Sequence, residues 1–537
     1  MQNHCLQKDL IFSKIIIDGN PRLTSMNLDI LFVMPSMKMD LKDESVGTLI
    51  LAKKAIMSGY NARIVRFWEL SRNLNDYNVF RSEAATSILR HKASIVSFYC
   101  RCSDYHICID LSNLIKGLCP QVKIIFGGPQ AELVAKETLT YFSNVDFVSC
   151  SEGENTIVPF LDYVFKGFPV SAVKGLVYRD QYGMIHQNKF PKFLPNNYVR
   201  GFYYYDLIPN SVISNNKGTN IDVGRGCPFT CTFCSTKTFW KQKYRLRNTQ
   251  DIINEIDYLV KKFGINYFSF DHDLFTVNNK KIKEFCHQII QRDLKIKWYC
   301  SSRIDTITEE LIDIMAAAGC YKILYGIETG SPRMQKIVRK NLNLEKCEPI
   351  VKYTKSKGLK VVASFIYGFP EETEEDFEYT FELMQNMQIL GARAIAWRCG
   401  ILNGTEMFEK YNHILTLEPN NACNSSFWGY DELYHLIEKH KDVFPHFCNF
   451  HSELRTELIY LEIFRSIWNY YEPKVYWEIF RHFEVNKYPM LSMYRKFVKT
   501  NQCILESIQQ KPEESFWGAT DEECYRMTNQ FKKLITL

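Results

Sequence analysis

Hydrophobic positions in the first third of the chain come in short runs, not in one long stripe. "LDILFVMPS" (28–36), "ARIVRFW" (62–68), "SIVSFYC" (94–100), "VKIIFGG" (122–128) and "VDFVSC" (145–150) each suit a strand buried on both faces. Between them the spacing turns helical, as in "SVGTLILAKKAIMSGY", which closes near Gly59. Strand and helix in alternation predict a parallel, doubly wound, Rossmann-like sheet. "GLVYRDQYGMIHQN" (175–188) adds an antiparallel hairpin, and Phe190 to Lys217, with its prolines and asparagines, predicts a linker.

A second alternation starts at "NIDVGRG" (220–226). Strands "NYFSFDHD", "KWYCSSRID", "KILYGIETG", "KVVASFIYGFP" and "ARAIAWRCG" follow, each separated from the next by a helical stretch. Six β/α units predict a partial (β/α)6 barrel, with chemistry at the C-terminal strand ends. Asp271, His272, Asp273, Ser302, Arg303, Glu328 and Glu371 fall there. Beyond about residue 410 the pattern is helical and densely aromatic, as in "ELRTELIYLEIFRSIWNYYEPKVYWEIFRHF". The expected α/β organisation is therefore a Rossmann-like domain over 1–190, a linker over 191–217, a partial barrel over 218–410 and a helical C-terminal domain over 411–537.

Composition narrows the class. Hydrophobic residues are 46% and charged residues 23% of 537, ordinary for a globular chain with a large core. A net charge of +6 gives no argument for nucleic acid. The 18 cysteines are scattered, which fits a reducing cytoplasm and not a secreted disulfide framework. The N-terminus lacks the apolar core of a signal peptide, and no run approaches the ~20 residues of a membrane span.

One cluster stands apart. In "GRGCPFTCTFCSTKTFW" (224–240), Cys227, Cys231 and Cys234 make a Cys-x3-Cys-x2-Cys triad in a glycine-rich loop just after a strand. Three thiolates are one short of a closed zinc site or a fully protein-ligated iron-sulfur cluster. Left open are a cubane with one free iron, a zinc knuckle with a remote fourth ligand, and three unrelated cysteines.

"GCPFTCTFC" at the first barrel strand, with aromatic Phe233 before the last cysteine, resembles the radical S-adenosylmethionine (radical SAM) superfamily. "FDHD" (270–273), "SSRID" (301–305), "YGIETGS" (325–331), "YGFPEETEEDF" (367–377) and "NGTEMF" (403–408) resemble its later strand ends, with Asn403 where proline is usual. The resemblance covers about residues 219–407. It implies a 4Fe-4S cluster on the three cysteines whose open iron takes SAM, with Phe233, Asp271, Asp273, Ser302, Arg303, Glu328 and Lys340 around that cofactor. It also implies an electron donor such as flavodoxin or ferredoxin. By their residues alone, Asp271-His272-Asp273 could hold a metal, and Lys237, Lys241, Lys243, Arg245 and Arg247 could form a solvated face or hold an acidic substrate.

The loops of the first sheet resemble the cobalamin-binding domain fused ahead of many radical SAM enzymes. The resemblance lies in a Gly-Gly-Pro turn and a Gly-Glu-Gly-Glu turn, with Ser151 replacing the first glycine of the latter. It implies corrin contacts from Ser97, Tyr99, Gly127, Gly128, Pro129, Glu152, Gly153 and Glu154. The Asp-x-His-x-x-Gly signature is missing, and Met34 to Gly47 contains no histidine, so that loop offers cobalt no axial imidazole. Together these resemblances imply a cobalamin-dependent methyltransferase acting on an unactivated carbon or a phosphinate of a small-molecule, peptide or lipid substrate. Alternatives are a radical cyclisation or rearrangement, RNA methylthiolation suggested by Cys100, Cys102 and Cys108, and a sensor without catalysis.

Overall fold

A computed structural model describes residues 28–36, 44–71, 76–214, 218–417, 428–452 and 454. Seven strands make the first sheet: β1 (Leu28–Met34), β2 (Ala62–Arg66), β3 (Ala93–Tyr99), β4 (Lys123–Gly127), β5 (Phe147–Ser149), β6 (Leu176–Arg179) and β7 (Ile185–Gln187). Their order is β2-β1-β3-β4-β5-β6-β7. The first five run parallel, and β6 and β7 join antiparallel as the expected hairpin. The order reverses between β1 and β3, so a crevice opens beyond their C-terminal ends.

The second sheet contains β8 (Gly218–Asp222), β11 (Tyr267–Asp271), β12 (Lys297–Ser302), β13 (Cys320–Glu328), β14 (Lys360–Tyr367) and β15 (Arg393–Arg398), all parallel and in chain order. It is an open six-stranded barrel wall. Period-two alternation divides its faces: Phe268, Phe270, Trp298, Cys300, Ile323 and Tyr325 face the helical layer and are buried. A register shift between Trp298 and Tyr299 gives β13 one extra residue. The bulge leaves Tyr321 packed edge-on to Tyr267 and Tyr299. The strand read as continuous over 220–226 instead breaks after Asp222. Gly224–Arg225 forms a short β9 that pairs antiparallel with β10 (Arg245–Leu246).

The stretch expected as a linker is packed in its described part. Tyr204, Tyr205, Ile208 and Val212 are buried in the same core as β1 and β8. Arg200 pairs with Asp222 at 3.0 Å and Glu255 at 2.8 Å. The aromatic residues draw this segment between the two sheets, where the polar prolyl and asparaginyl pattern suggested exposure.

Past the barrel, the described residues are not purely helical: β16 (Thr416–Leu417) pairs antiparallel with β17 (Cys448–Asn449). Residues 428–450 strap the first domain. Trp428 packs on Tyr77 and Phe80, its carbonyl accepts from His106 Nε2 at 2.8 Å, and Phe444 meets Tyr105. Most of the aromatic tail, including Trp468, Tyr470, Tyr471 and Trp477, lies outside the described residues.

Trp298 is fully buried, stacks on Phe270 at 4.7 Å and donates its indole N–H to the Ala318 carbonyl at 2.8 Å. Truncating it leaves a large cavity and an orphaned carbonyl, so Trp298→Ala should cost about 3–5 kcal/mol. Denaturant unfolding of the two proteins side by side measures this.

Candidate functional site

The cysteine loop leaves the first barrel strand and arches over the strand ends. Gly226 makes the departure possible: its φ is +89°, and a Cβ there would lie 2.1 Å from the Lys243 carbonyl. Its N–H donates to Asp273 Oδ2 at 2.6 Å, tying the loop to β11. Thr232 N–H donates to the Val338 carbonyl at 3.0 Å, and the Thr232 carbonyl accepts from Met407 N–H at 3.2 Å. The loop, which leaves the first strand, is thus anchored on the second, fourth and sixth units. Burial pushes the Cys227 thiol up to about 11, and the neighbouring Cys234 and Cys231 add to it. For Cys231 burial also raises the pKa, while Lys340 and Arg303 oppose it.

All three thiols are partly exposed. Among the described residues no three His, Cys, Asp or Glu side chains converge as a single metal ion requires. A multi-iron cubane places each thiolate on a different iron, so three cysteines in one loop can hold it and leave a fourth iron open. The Asp-His-Asp run is no metal site either. His272 Nδ1 accepts from Leu274 N–H at 2.9 Å, and Nε2 donates to the Arg245 carbonyl at 3.1 Å. Both ring nitrogens are committed, and burial lowers the imidazole pKa to about 4, so the ring is neutral.

Beside Cys231 lies a polar cluster. Arg303 stacks on Phe229 of the loop at 3.7 Å, grips Asp305 with Nε at 2.8 Å and donates Nη2 to the Lys340 carbonyl at 2.8 Å. Its Nη1 is buried with no partner. Lys340 Nζ donates to Glu328 Oε1 at 3.0 Å. Glu328 has a φ of +72° at a register shift between β13 and β14, a backbone conformation disfavoured for a side chain. An unpaired guanidinium N–H beside an ammonium–carboxylate pair is a donor and acceptor set for an amino-acid headgroup. Phe233, partly buried, packs toward Phe369. Ser302 departs from expectation: it is 3% exposed, and its hydroxyl is bonded to Thr276 at 2.7 Å, so it braces the strand ends internally.

Asp271 is exposed at the end of β11 but ringed by protein. Burial, with Asp222 and Asp273 as like charges, pushes its carboxyl up to about 6. The strand-end faces of the two sheets confront each other: Gln130, just past β4, donates Nε2 to Asn403 Oδ1, past β15, at 2.8 Å, and Leu133 lies against Gly404. On the first sheet, Gly127 ends β4 and Gly128 follows it. A Cβ on Gly128 would meet the Cys100 carbonyl at 2.9 Å, so the glycine serves the approach of β3 to β4. Pro129 opens the next helix, and Ser97 is half-buried on β3. Ser151 adopts a φ of +72°, the conformation for which glycine is suited, and its hydroxyl is buried without a partner.

Glu152 and Glu154, expected at a corrin, have another task. Glu152 Oε1 accepts from Arg225 at 2.9 Å and Arg245 at 2.7 Å, while Glu154 Oε1 accepts from Arg225 at 2.5 Å. Gly153 packs on Leu51. The loop docks the first domain on the barrel. Correspondingly, Arg245 and Arg247 are buried in ion pairs and belong to no solvated basic face; Lys241 and Lys243 are exposed. Arg225, Asp222 and Arg200 escaped sequence reading. The available signal was a charge at each end of the "DVGR" break, inside an otherwise apolar strand pattern.

Comparison with known proteins agrees with this geometry. Residues 221–384 match the model of the Radical SAM superfamily. An uncharacterized methyltransferase from Pyrococcus horikoshii is 29% identical over 353 residues, covering 63% of this chain and 76% of that protein. An anaerobic magnesium-protoporphyrin IX monomethyl ester cyclase from Rubrivivax gelatinosus is 26% identical, covering 51% of each, so the chain spans about half that relative's length. The structure of the cobalamin-dependent S-adenosylmethionine radical enzyme OxsB, with aqua-cobalamin and S-adenosylmethionine bound, shares the fold. Its TM-score is 0.60 at 14% identity, over 95% of this chain and 80% of that one.

The raised Asp271 carboxyl has a sign that can be measured. Unfolded, it releases its proton near 3.8; folded, near 6. Folding therefore loses stability as pH rises through that window, and the cost persists above it. Solvent in the cleft trims the effect. Asp271→Asn should raise the melting temperature at about pH 8 and leave it unchanged below about pH 4. Thermal melts across that range give the result.

Proposed function

We propose that this chain, a radical SAM protein by residues 221–384, is a cobalamin-dependent methyltransferase that acts on a carbon, or a phosphinate phosphorus, with no reactive lone pair. One observation carries the reading: the strand-end face of a doubly wound domain meets the strand-end face of the barrel, where Gln130 Nε2 donates to Asn403 Oδ1 at 2.8 Å and Leu133 packs on Gly404. Two cofactors and a substrate would meet at that junction.

In this reading Cys227, Cys231 and Cys234 hold the 4Fe-4S cluster and leave one iron for SAM. Arg303 Nη1 and the Lys340–Glu328 pair orient the methionine end of SAM beside Cys231. Phe233 packs behind the loop, and Asp273 fixes the loop's entry through Gly226. Tyr99, the Gly127–Gly128 turn and Ser151, with its unpartnered hydroxyl, face the corrin. When bound, the cluster with SAM supplies hydrogen-atom abstraction and cobalamin supplies a methyl group. The chain's own contribution is to hold three groups at reacting distance and keep water out. Asp271, whose carboxyl is pushed up to about 6, is mostly ionised at neutral pH and places a hydrogen-bond acceptor against the substrate. A one-electron donor of the flavodoxin or ferredoxin type is needed. The cysteines of the described residues stand outside disulfides, which suits a reducing compartment such as the cytoplasm.

The cyclase relative supports a second reading, ring formation on the same cofactors. Anaerobic reconstitution with cobalamin, SAM and a reductant separates the two by mass spectrometry. Methyl transfer should give 5'-deoxyadenosine and S-adenosylhomocysteine together. Deoxyadenosine without S-adenosylhomocysteine would favour ring formation, and absence of both from protein with a full cluster would overturn radical catalysis. Cys231→Ala should reduce reconstituted iron to background, checked by iron and sulfide analysis.

A further inference from the structure

The seam between the domains contains an arginine whose place in the chain is unusual. Arg225 stands two residues before Cys227, at the root of the cluster loop. Its guanidinium does not point to the cluster side. Nη1 reaches Glu152 at 2.9 Å and Nη2 reaches Glu154 at 2.5 Å, both on the loop that follows β5 of the first domain. Directly across the β9–β10 ladder, Arg245 grips the same Glu152 oxygen at 2.7 Å. The other oxygen of Glu152 accepts from Leu194 N–H at 2.6 Å. On the barrel side, Asp222 lies 3.4 Å from Arg225 and stands in register with Asp271.

These charges are deeply buried, with side-chain exposures of 14% for Arg225, 0% for Glu152 and 12% for Glu154. A planar guanidinium forked across two carboxylates fixes direction as well as distance, because both Nη groups must meet their separate acceptors at once. Sliding the first domain along the barrel would break several charge-assisted bonds in a low dielectric at once. Misplacement by about 1 Å can cost a reaction about a hundredfold.

We propose that Arg225 is a positioning residue that registers the first domain against the cluster loop, and so sets the spacing between the methyl-donating and hydrogen-abstracting centres. The proposal rests on the methyltransferase reading for its second half only. Registration itself belongs to the bare chain.

Two experiments test it. Arg225→Lys keeps the charge but loses the fork. Hydrogen–deuterium exchange of the cofactor-free protein should speed up at residues 150–156 and at 226–236 together, with the helical layer unchanged. Faster exchange in one of the two loops, or in neither, would overturn registration. In reconstituted protein with native iron content, the ratio of S-adenosylhomocysteine to 5'-deoxyadenosine should fall about tenfold. Glu154→Gln, which keeps a neutral acceptor for Arg225, should lower the ratio less. Equal loss of both products, or loss of iron, would make Arg225 a mere support of the loop and sink the proposal. If wild-type protein makes no S-adenosylhomocysteine at all, the function reading fails while the exchange result still decides registration.

Discussion

Buried charge at the seam between the two sheets is the constraint on which the rest of the molecule depends. Arg200, Arg225, Arg245 and Arg247 interlock with Asp222, Glu152, Glu154, Asp251 and Glu255. Burial alone would raise the Asp222 carboxyl, yet Arg225, Arg200 and Arg247 overcome it and hold the pKa down to about 2. Removing one partner from such a network leaves an uncompensated charge, at a cost of roughly 3–5 kcal/mol. Asp271 is the counterpart left outside the network: it faces Asp222 and Asp273 with little positive charge in reach, so its carboxyl retains its proton to a much higher pH. The stability of the seam and the reactivity of the cleft thus come from one uneven distribution of arginines.

The fold was largely legible because its signals are local. Short apolar runs separated by helical spacing need nothing from the rest of the chain to be read as buried parallel strands. The cysteine triad stood out for a similar reason, since its spacing lies within one loop, although spacing alone left open what the three thiols hold. Phe190 to Lys217 misled because Tyr204, Tyr205 and Val212 become core only once two sheets are brought together. The same holds for Glu152 and Glu154. In the sequence they look like loop acids free to meet a ligand, and only the approach of Arg225 from a later domain commits them.

Motif residues also divided by task in a way that spacing could not reveal. In "YGIETGS", Glu328 accepts from Lys340 at 3.0 Å, whereas Thr329 bonds Thr380 at 3.0 Å and Ser331 donates to Asp376 at 2.5 Å. Asp376 in turn accepts from Thr373, the cap of the helix Glu374–Ile389. Two of the most recognisable stretches are therefore a joint that holds neighbouring β/α units together, with the Glu328 carboxylate left outside it and paired with Lys340. Ser302 follows the same logic, spent on Thr276.

The strap across the first domain has a consequence in time. His106 and Trp428 are 322 residues apart in the chain. At a synthesis rate of roughly 5–20 residues per second, the helix bearing His106 leaves the ribosome about 15–60 seconds before its cover exists. Tyr77, Phe80 and Tyr105, which Trp428 and Phe444 later pack against, stand open to water for that interval. A nascent chain stalled in the barrel would thus display an aromatic face that the finished protein hides, and that face is where a folding chaperone would find its hold.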